Sequence, residues 1–287
     1  MRGISLHGEL LRIISQGLKY GKVHSVFNRT INIIDDNGYM ISLITKTLDE
    51  APISILVDTK DFSSSGILIG KDVCFSEREV AVGSNVIDIS KARTYDLKRG
   101  TFRANYSLLE KNLKILRHLM DTKGPKETQS FDLMAFQMVR SRTKSLKRAC
   151  LREDLKEMTI LGRSLMGLGQ GLTPSGDDVL MGLFLVLGLE GSPMNYLDFI
   201  LREIIQEKTE DTTDVSYQGL LRASNGFYRS ILVEAVEALT TWGNIEQILI
   251  EVLSIGHSSG RDLLYGILTG YEILVEKENG NVNEDNY

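Results

Sequence analysis

Two stretches of this 287-residue chain carry one pattern, and it restricts the fold more than any other feature. Ser175-Gly176-Asp177-Asp178-Val179-Leu180-Met181-Gly182-Leu183 aligns without a gap onto Ser259-Gly260-Arg261-Asp262-Leu263-Leu264-Tyr265-Gly266-Ile267. Ser-x-x-Asp ahead of an apolar run marks a helix start, and aspartates in the first turn suit the positive end of the helix dipole. Gly182 and Gly266 then fall inside helices, where glycine costs about 1 kcal/mol against alanine. The same cost at the same place in both predicts that two helices meet closely at these glycines and bring their starts to one cleft.

The first start follows a side-chain-poor loop, Gly167-Leu168-Gly169-Gln170-Gly171-Leu172. Thr173 before Pro174 fits an N-cap followed by the first helical residue, where proline loses no hydrogen bond; Ser175 with Asp178 offers an alternative capping box. The helix behind is apolar nearly all round, which places it in the core.

The period of the apolar residues divides the remainder. Over the first hundred residues, Val23–Ile34, Asp36-Asn37-Gly38 and Tyr39–Ile44 read as a hairpin on an Asn-Gly turn. Short apolar runs at Ile53–Val57, Gly66–Ile69, Val73–Phe75 and Val86–Ile89 predict further strands of a small barrel or sandwich. Ahead of them, Leu10, Leu11, Ile13, Ile14 and Leu18 predict a short amphipathic helix. From about residue 105 the spacing is helical: Tyr106–Met120, Phe131–Val139, Asp154–Leu165, Asp178–Leu189, Tyr196–Ile205, Phe227–Leu239 and Ile245–Ile255. Thr122–Gln129 reads as a surface connection, and the polar tail after Lys277 as frayed. The class is α+β, with a β-rich domain at 1–100 and a helical domain at 101–287 that carries both glycine-led starts.

Composition removes several functions. A formal net charge of −5 argues against a nucleic-acid binder. The two cysteines, Cys74 and Cys150, form no CxxC pair, so neither a zinc site nor a disulfide framework is expected. No apolar run reaches the ~20 residues of a membrane helix and no signal-peptide core is visible, so the expected location is cytoplasmic.

A glycine loop leading into a helix suits a small anion, yet two aspartates beside it would repel one. A divalent cation such as Mg²⁺, or Arg261, standing between carboxylate and ligand would make the arrangement tolerable. Glycine spacing and the missing Gly-Lys-Ser/Thr exclude a dinucleotide fingerprint and a P-loop. Gly169, Gly171, Gly176 and Gly260 are therefore expected to give a substrate backbone access. Thr173, Ser175, Ser258 and Ser259 would donate hydrogen bonds to it, and Arg261 would bind its charge. Asp177, Asp178 and His257 are the candidate catalytic groups, the aspartates orienting an amide or a metal ion and the histidine stabilising charge. Weaker candidates are His24-Ser25 on the first strand and a further cap at Thr212–Ser216. The basic run Arg140, Arg142, Lys144, Lys147 and Arg148 reads as a solvated helix face.

GLGQGLTPSGDDVLMG closely resembles the signature of the AllH-like family, Gly-Leu-Gly-Pro-Gly-Leu-Thr-Pro-Ser-Gly-Asp-Asp. GHSSGRDLLYGIL is similar to that family's later block, and His24-Ser25-Val26-Phe27 to its early strand. Gln170 replaces the family's proline, and Arg261 a small or polar residue. The resemblance implies a subunit of oxamate carbamoyltransferase from anaerobic allantoin (purine) breakdown, an enzyme that converts oxalurate and phosphate into oxamate and carbamoyl phosphate. It implies partner subunits, one of them similar to acyl-CoA synthetases, and a ligand of the carbamoyl phosphate, oxamate or oxalurate class. Two other readings stand beside it: a non-catalytic scaffold or regulatory subunit, and a Mg-dependent hydrolase using the aspartate pair.

Overall fold

The computed structural model describes residues 1–103, 105–124, 130–206, 211–241 and 244–284. The chain divides into two compact units, Met1–Leu97 and Lys98–Tyr287.

The first unit is one sheet of nine strands: β1 (Gly3–His7), β2 (Tyr20–Val26), β3 (Thr30–Ile34), β4 (Met40–Thr45), β5 (Ser54–Val57), β6 (Asp72–Phe75), β7 (Glu79–Val82), β8 (Asn85–Asp88) and β9 (Arg93–Tyr95), in the order β8-β7-β6-β2-β3-β4-β5-β1-β9. Neighbours are antiparallel except β4 with β5 and β1 with β9. The sheet curls: Arg2, just ahead of β1, forms a bridge to Asp88 of β8, and the Met1 ammonium donates to Val86 O at 2.7 Å. Inward-facing Ile31, Ile33, Ile41, Leu43, Ile55 and Val73 fill the curl, capped by Leu10 and Ile14 of helix α1 (Gly8–Ser15). A single curled sheet is nearer to the barrel than to the sandwich, which needs two.

Several boundaries differ from expectation. Val23–Ile34 is two strands, with the chain reversing between Val26 and Thr30. The hairpin turn before β4 takes its positive φ at Gly38 alone (φ 78°), while the Asp35 carboxylate accepts from the amides of Asn37 and Tyr39. Gly66–Ile69 forms no strand, and the N-terminus enters as β1 before its helix. His24 and Ser25 sit on β2, where Ser25 Oγ accepts from Asn32 of β3 at 3.0 Å.

The second unit is helical: α2 (Tyr106–Lys123), α3 (Ser130–Arg152), α4 (Leu155–Leu165), α5 (Ser175–Leu187), a 3₁₀ turn (Asn195–Asp198), α6 (Phe199–Ile205), α7 (Asp214–Ser224), α8 (Ser230–Thr241), α9 (Glu246–Leu253) and α10 (Ser259–Glu284). Asn105 and Asp154 cap α2 and α4 by accepting from the third residue on. Helix α5 is buried on nearly every side, as its largely apolar sequence requires. The tail expected to fray instead continues α10 to Glu284. The connection expected at Thr122–Gln129 lies largely outside the described residues. No helix of the described residues is long and apolar enough to cross a membrane.

Candidate functional site

Helices α5 and α10 run side by side in the same direction. Contacts advance in step along both: Thr173 meets Ser259, Gly182 meets Leu263 and Ile267, and Val186 meets Gly270. A Cβ on Gly182 would sit 2.1 Å from Leu263 O, and one on Gly266 2.2 Å from Val179 O. Only hydrogen fits there, so the two interior glycines let backbone rest on backbone, as the repeated pattern predicts.

The caps are where local rules give way. Pro174, not Thr173, is the N-cap of α5, with no side chain capping the helix; its carbonyl accepts from the amides of Asp177 and Asp178 at 3.0 and 3.2 Å. The hydroxyls thus released reach across to the other helix. Thr173 Oγ1 lies 2.7 Å from Ser259 Oγ. The hydroxyls of Ser259 and Thr173 stand close enough to Asp178 to favour its charged form, and those of Ser175 and Ser258 do the same for Asp262. The serine that opens each helix thus serves the aspartate of the other. Asp262 is a residue that sequence reasoning does not single out, although the alignment that sets it opposite Asp178 carries the signal.

Parallel helices point two positive dipole ends, each worth roughly half a charge, at the same place. Asp177, Asp178 and Asp262 answer that field from the first turns. Burial acts against them. Asp178 is pushed well above the ordinary carboxylate range, first by burial and next by the neighbouring carboxylates Asp262 and Asp177, against the pull of its hydroxyl donors. Asp262 is raised by burial, opposed chiefly by the Arg261 charge. One buried oxygen of each, Oδ2, has no hydrogen-bond partner among the described residues. An orphaned carboxylate oxygen is costly, and a shared proton or a ligand N–H would satisfy it.

Asp177 is differently placed. Its Oδ1 accepts from Gly167 N at 2.8 Å, and its Oδ2 from Ser216 Oγ at 2.6 Å and from the Thr212 hydroxyl. It braces the glycine loop and the start of α7, whose N-cap Thr213 accepts from Ser216 N. The weak candidate segment Thr212–Ser216 therefore joins the site through Asp177. The raised position of Asp177 comes from burial, moderated by those donors.

The glycines separate into two groups. The amides of Gly176 and Gly260 are engaged by Leu168 O and Ile255 O, at 2.8 and 3.0 Å. A Cβ on either would strike the carbonyl of Leu165 or Val252 at about 2.0 Å or less. Packing, not ligand access, requires glycine at these two positions. Gly169 and Gly171 adopt φ of 124° and 91° in the half-open loop, and the side of Gly171 is clear of neighbours. Such positive φ values explain why the loop is glycine-rich. Gln170, Gly171, Leu172 and His257 are exposed, and Thr173, Ser175, Ser258 and Ser259 half-buried. Arg261 turns into the protein, bonding Asp262 Oδ1 at 3.2 Å and lying 4.7 Å over the Phe136 ring. Among the described residues no group of three or more His, Cys, Asp and Glu side chains stands ready to hold a metal ion.

Two family models match the chain. One, described as oxamate carbamoyltransferase subunit AllH, matches residues 165–271, from the end of α4 into α10, and so spans both helix starts and the Thr212–Ser216 brace. The other, the AllH family N-terminal domain, matches residues 2–94, nearly the whole curled sheet. No solved structure matches the chain.

Proposed function

The chain belongs to the AllH family, and from that premise we propose that it is a subunit of an oxamate/oxalurate-type carbamoyltransferase that holds a small carbamoyl-bearing anion at the paired starts of α5 and α10. The reciprocal service of Asp178 by Ser259 and of Asp262 by Ser175 is the observation that carries the reading. Helix starts built only to terminate helices would cap themselves.

A carbamoyl group has an NH₂ that seeks acceptors and a carbonyl that seeks donors. The Oδ2 atoms of Asp178 and Asp262 are acceptors in want of a donor, and Thr173, Ser175, Ser258 and Ser259 are hydroxyl donors beside them. The converging dipoles and the loop at Gly169 and Gly171 favour the anionic end. In the transfer, a phosphate oxygen bonds to the carbamoyl carbon of oxalurate and the carbon–nitrogen bond to oxamate breaks. The proton leaving phosphate must reach the departing nitrogen. Asp178, whose hold on a proton burial strengthens and whose Oδ2 has no other partner among the described residues, is the group suited to relay it. Asp177 holds the loop, and His257 at the rim meets the charge of the incoming molecule.

Partner subunits are part of this reading, and the test requires them. In the reconstituted complex, Asp178→Asn and Ser259→Ala should each lower carbamoyl transfer at least 100-fold while assembly and unfolding stay close to the parent. Full turnover in both variants would instead leave the chain a scaffold or regulatory subunit. Dependence of parent turnover on added Mg²⁺, with calorimetric Mg²⁺ binding lost in Asp178→Asn, would favour the hydrolase-like alternative.

A further inference from the structure

We propose a second ligand site, for a phosphate or phosphoryl group, in a groove between α2, α3 and α10 that lies to the side of the helix starts. It is a hollow of about 350 Å³ lined by Arg117, Arg140, Lys144 and Lys147, with Asp121, Glu272 and Tyr265 also in its wall. A second hollow of about 330 Å³ adjoins it and shares Arg117, Lys147 and Glu272. Its cations come from α2 and α3, outside residues 165–271 and 2–94, while Tyr265 of its wall lies within the first match.

The four cations outnumber the two carboxylates of the hollow, Asp121 and Glu272. Glu272 is shared by Arg117 at 2.8 Å and Lys147 at 2.7 Å, and Glu276 takes Lys147 at 2.6 Å. Arg140 and Lys144 have no carboxylate partner among the described residues. Residues 140, 144 and 147 fall on one face of α3, where like charges four apart repel by a few tenths of a kcal/mol. In a chain of net charge −5 such a stripe is a local reversal of sign. The Arg140 guanidinium is also fixed before any ligand arrives. Its Cζ lies 3.6 Å from the centre of the Tyr265 ring and 4.8 Å from that of Phe136. A flat, pre-set guanidinium beside a mobile ammonium is the pairing that grips a tetrahedral oxyanion, the fork supplying direction and the lysine charge.

This site does not rest on the reading of the helix starts, and the experiment keeps them apart. Inorganic phosphate and glycerol phosphate are titrated calorimetrically into the full chain at low salt. The same is done for Arg140→Gln/Lys144→Gln, for Arg140→Lys, and for Asp178→Asn. Binding that weakens at least tenfold in the double variant, less in Arg140→Lys, and not at all in Asp178→Asn supports the proposal. Tighter binding of glycerol phosphate identifies the phosphoryl group of a larger molecule; tighter binding of phosphate identifies the free ion. No binding by the parent, or equal binding by parent and double variant with the fold intact by circular dichroism, overturns it.

Discussion

Replacing Gly182 with alanine tests the architecture on which the site depends. The added Cβ would fall 2.1 Å from Leu263 O and 3.0 Å from Ile267 N. Unbonded heavy atoms settle near 3.5 Å, so α5 and α10 would have to part by more than 1 Å. Overpacking a core costs about 1–3 kcal/mol, and more where backbone is struck; the helical preference of alanine returns about 1 kcal/mol. A net loss of about 2 kcal/mol is expected, read as a lower urea midpoint for the helical unit with an unchanged slope. Gly280 provides the internal control. It lies in α10, and a Cβ added there would meet nothing within 4 Å, so Gly280→Ala should gain up to about 1 kcal/mol. The parting would also stretch the 2.7 Å contact of Thr173 with Ser259, so transfer should fall further than stability alone explains. If Gly182→Ala is as stable as the parent, the close-contact argument is wrong.

Other consequences can be measured. Asp178 keeps its proton to higher pH when folded, so its contribution is complete below the unfolded value near 4 and is lost as pH rises toward the folded one. The parent should therefore lose about 1.4 kcal/mol per pH unit relative to Asp178→Asn over that interval, in denaturant titrations from pH 4 upward; parallel curves would show that burial does not perturb this group. Asp177→Ala strips the partner from Gly167 N and from the hydroxyls of Thr212 and Ser216, which should cost about 3 kcal/mol in thermal unfolding and speed amide exchange at Gly167. Thr173→Val, which keeps shape and removes the hydroxyl, should cost about 1 kcal/mol but reduce transfer by tenfold or more; equal, small effects on both would make the hydroxyl merely structural.

Periodicity makes the helices legible because each buries a stripe whose spacing survives any arrangement of neighbours. It is weaker for the sheet. β7 and β9 are four and three residues long, too short to show alternation, and β1 is hidden by the stronger apolar pattern of α1 beside it. The two helix starts are visible as a pair since the same physical demand, backbone on backbone, selects glycine twice. Their caps depart from expectation for a tertiary reason: Thr173 and Ser175 obey the local capping rule in isolation, but each gains a better partner on the neighbouring helix. Gly176 and Gly260 likewise answer to the carbonyls of Leu165 and Val252, which no local pattern announces. The stripe on α3 reads as an ordinary solvated face. What alters it is Tyr265 and Glu272 from far along the chain, and neither spacing nor composition could place them there.

Since the clasp between Thr173 and Ser259 stands at the head of the most deeply packed helix pair in its unit, it has no hinge of its own. Warming cannot slacken it ahead of everything else, as it would a surface flap. Catalytic failure and melting should therefore arrive together on one temperature scan, and a gap between the two curves would have to be traced to the partner subunits.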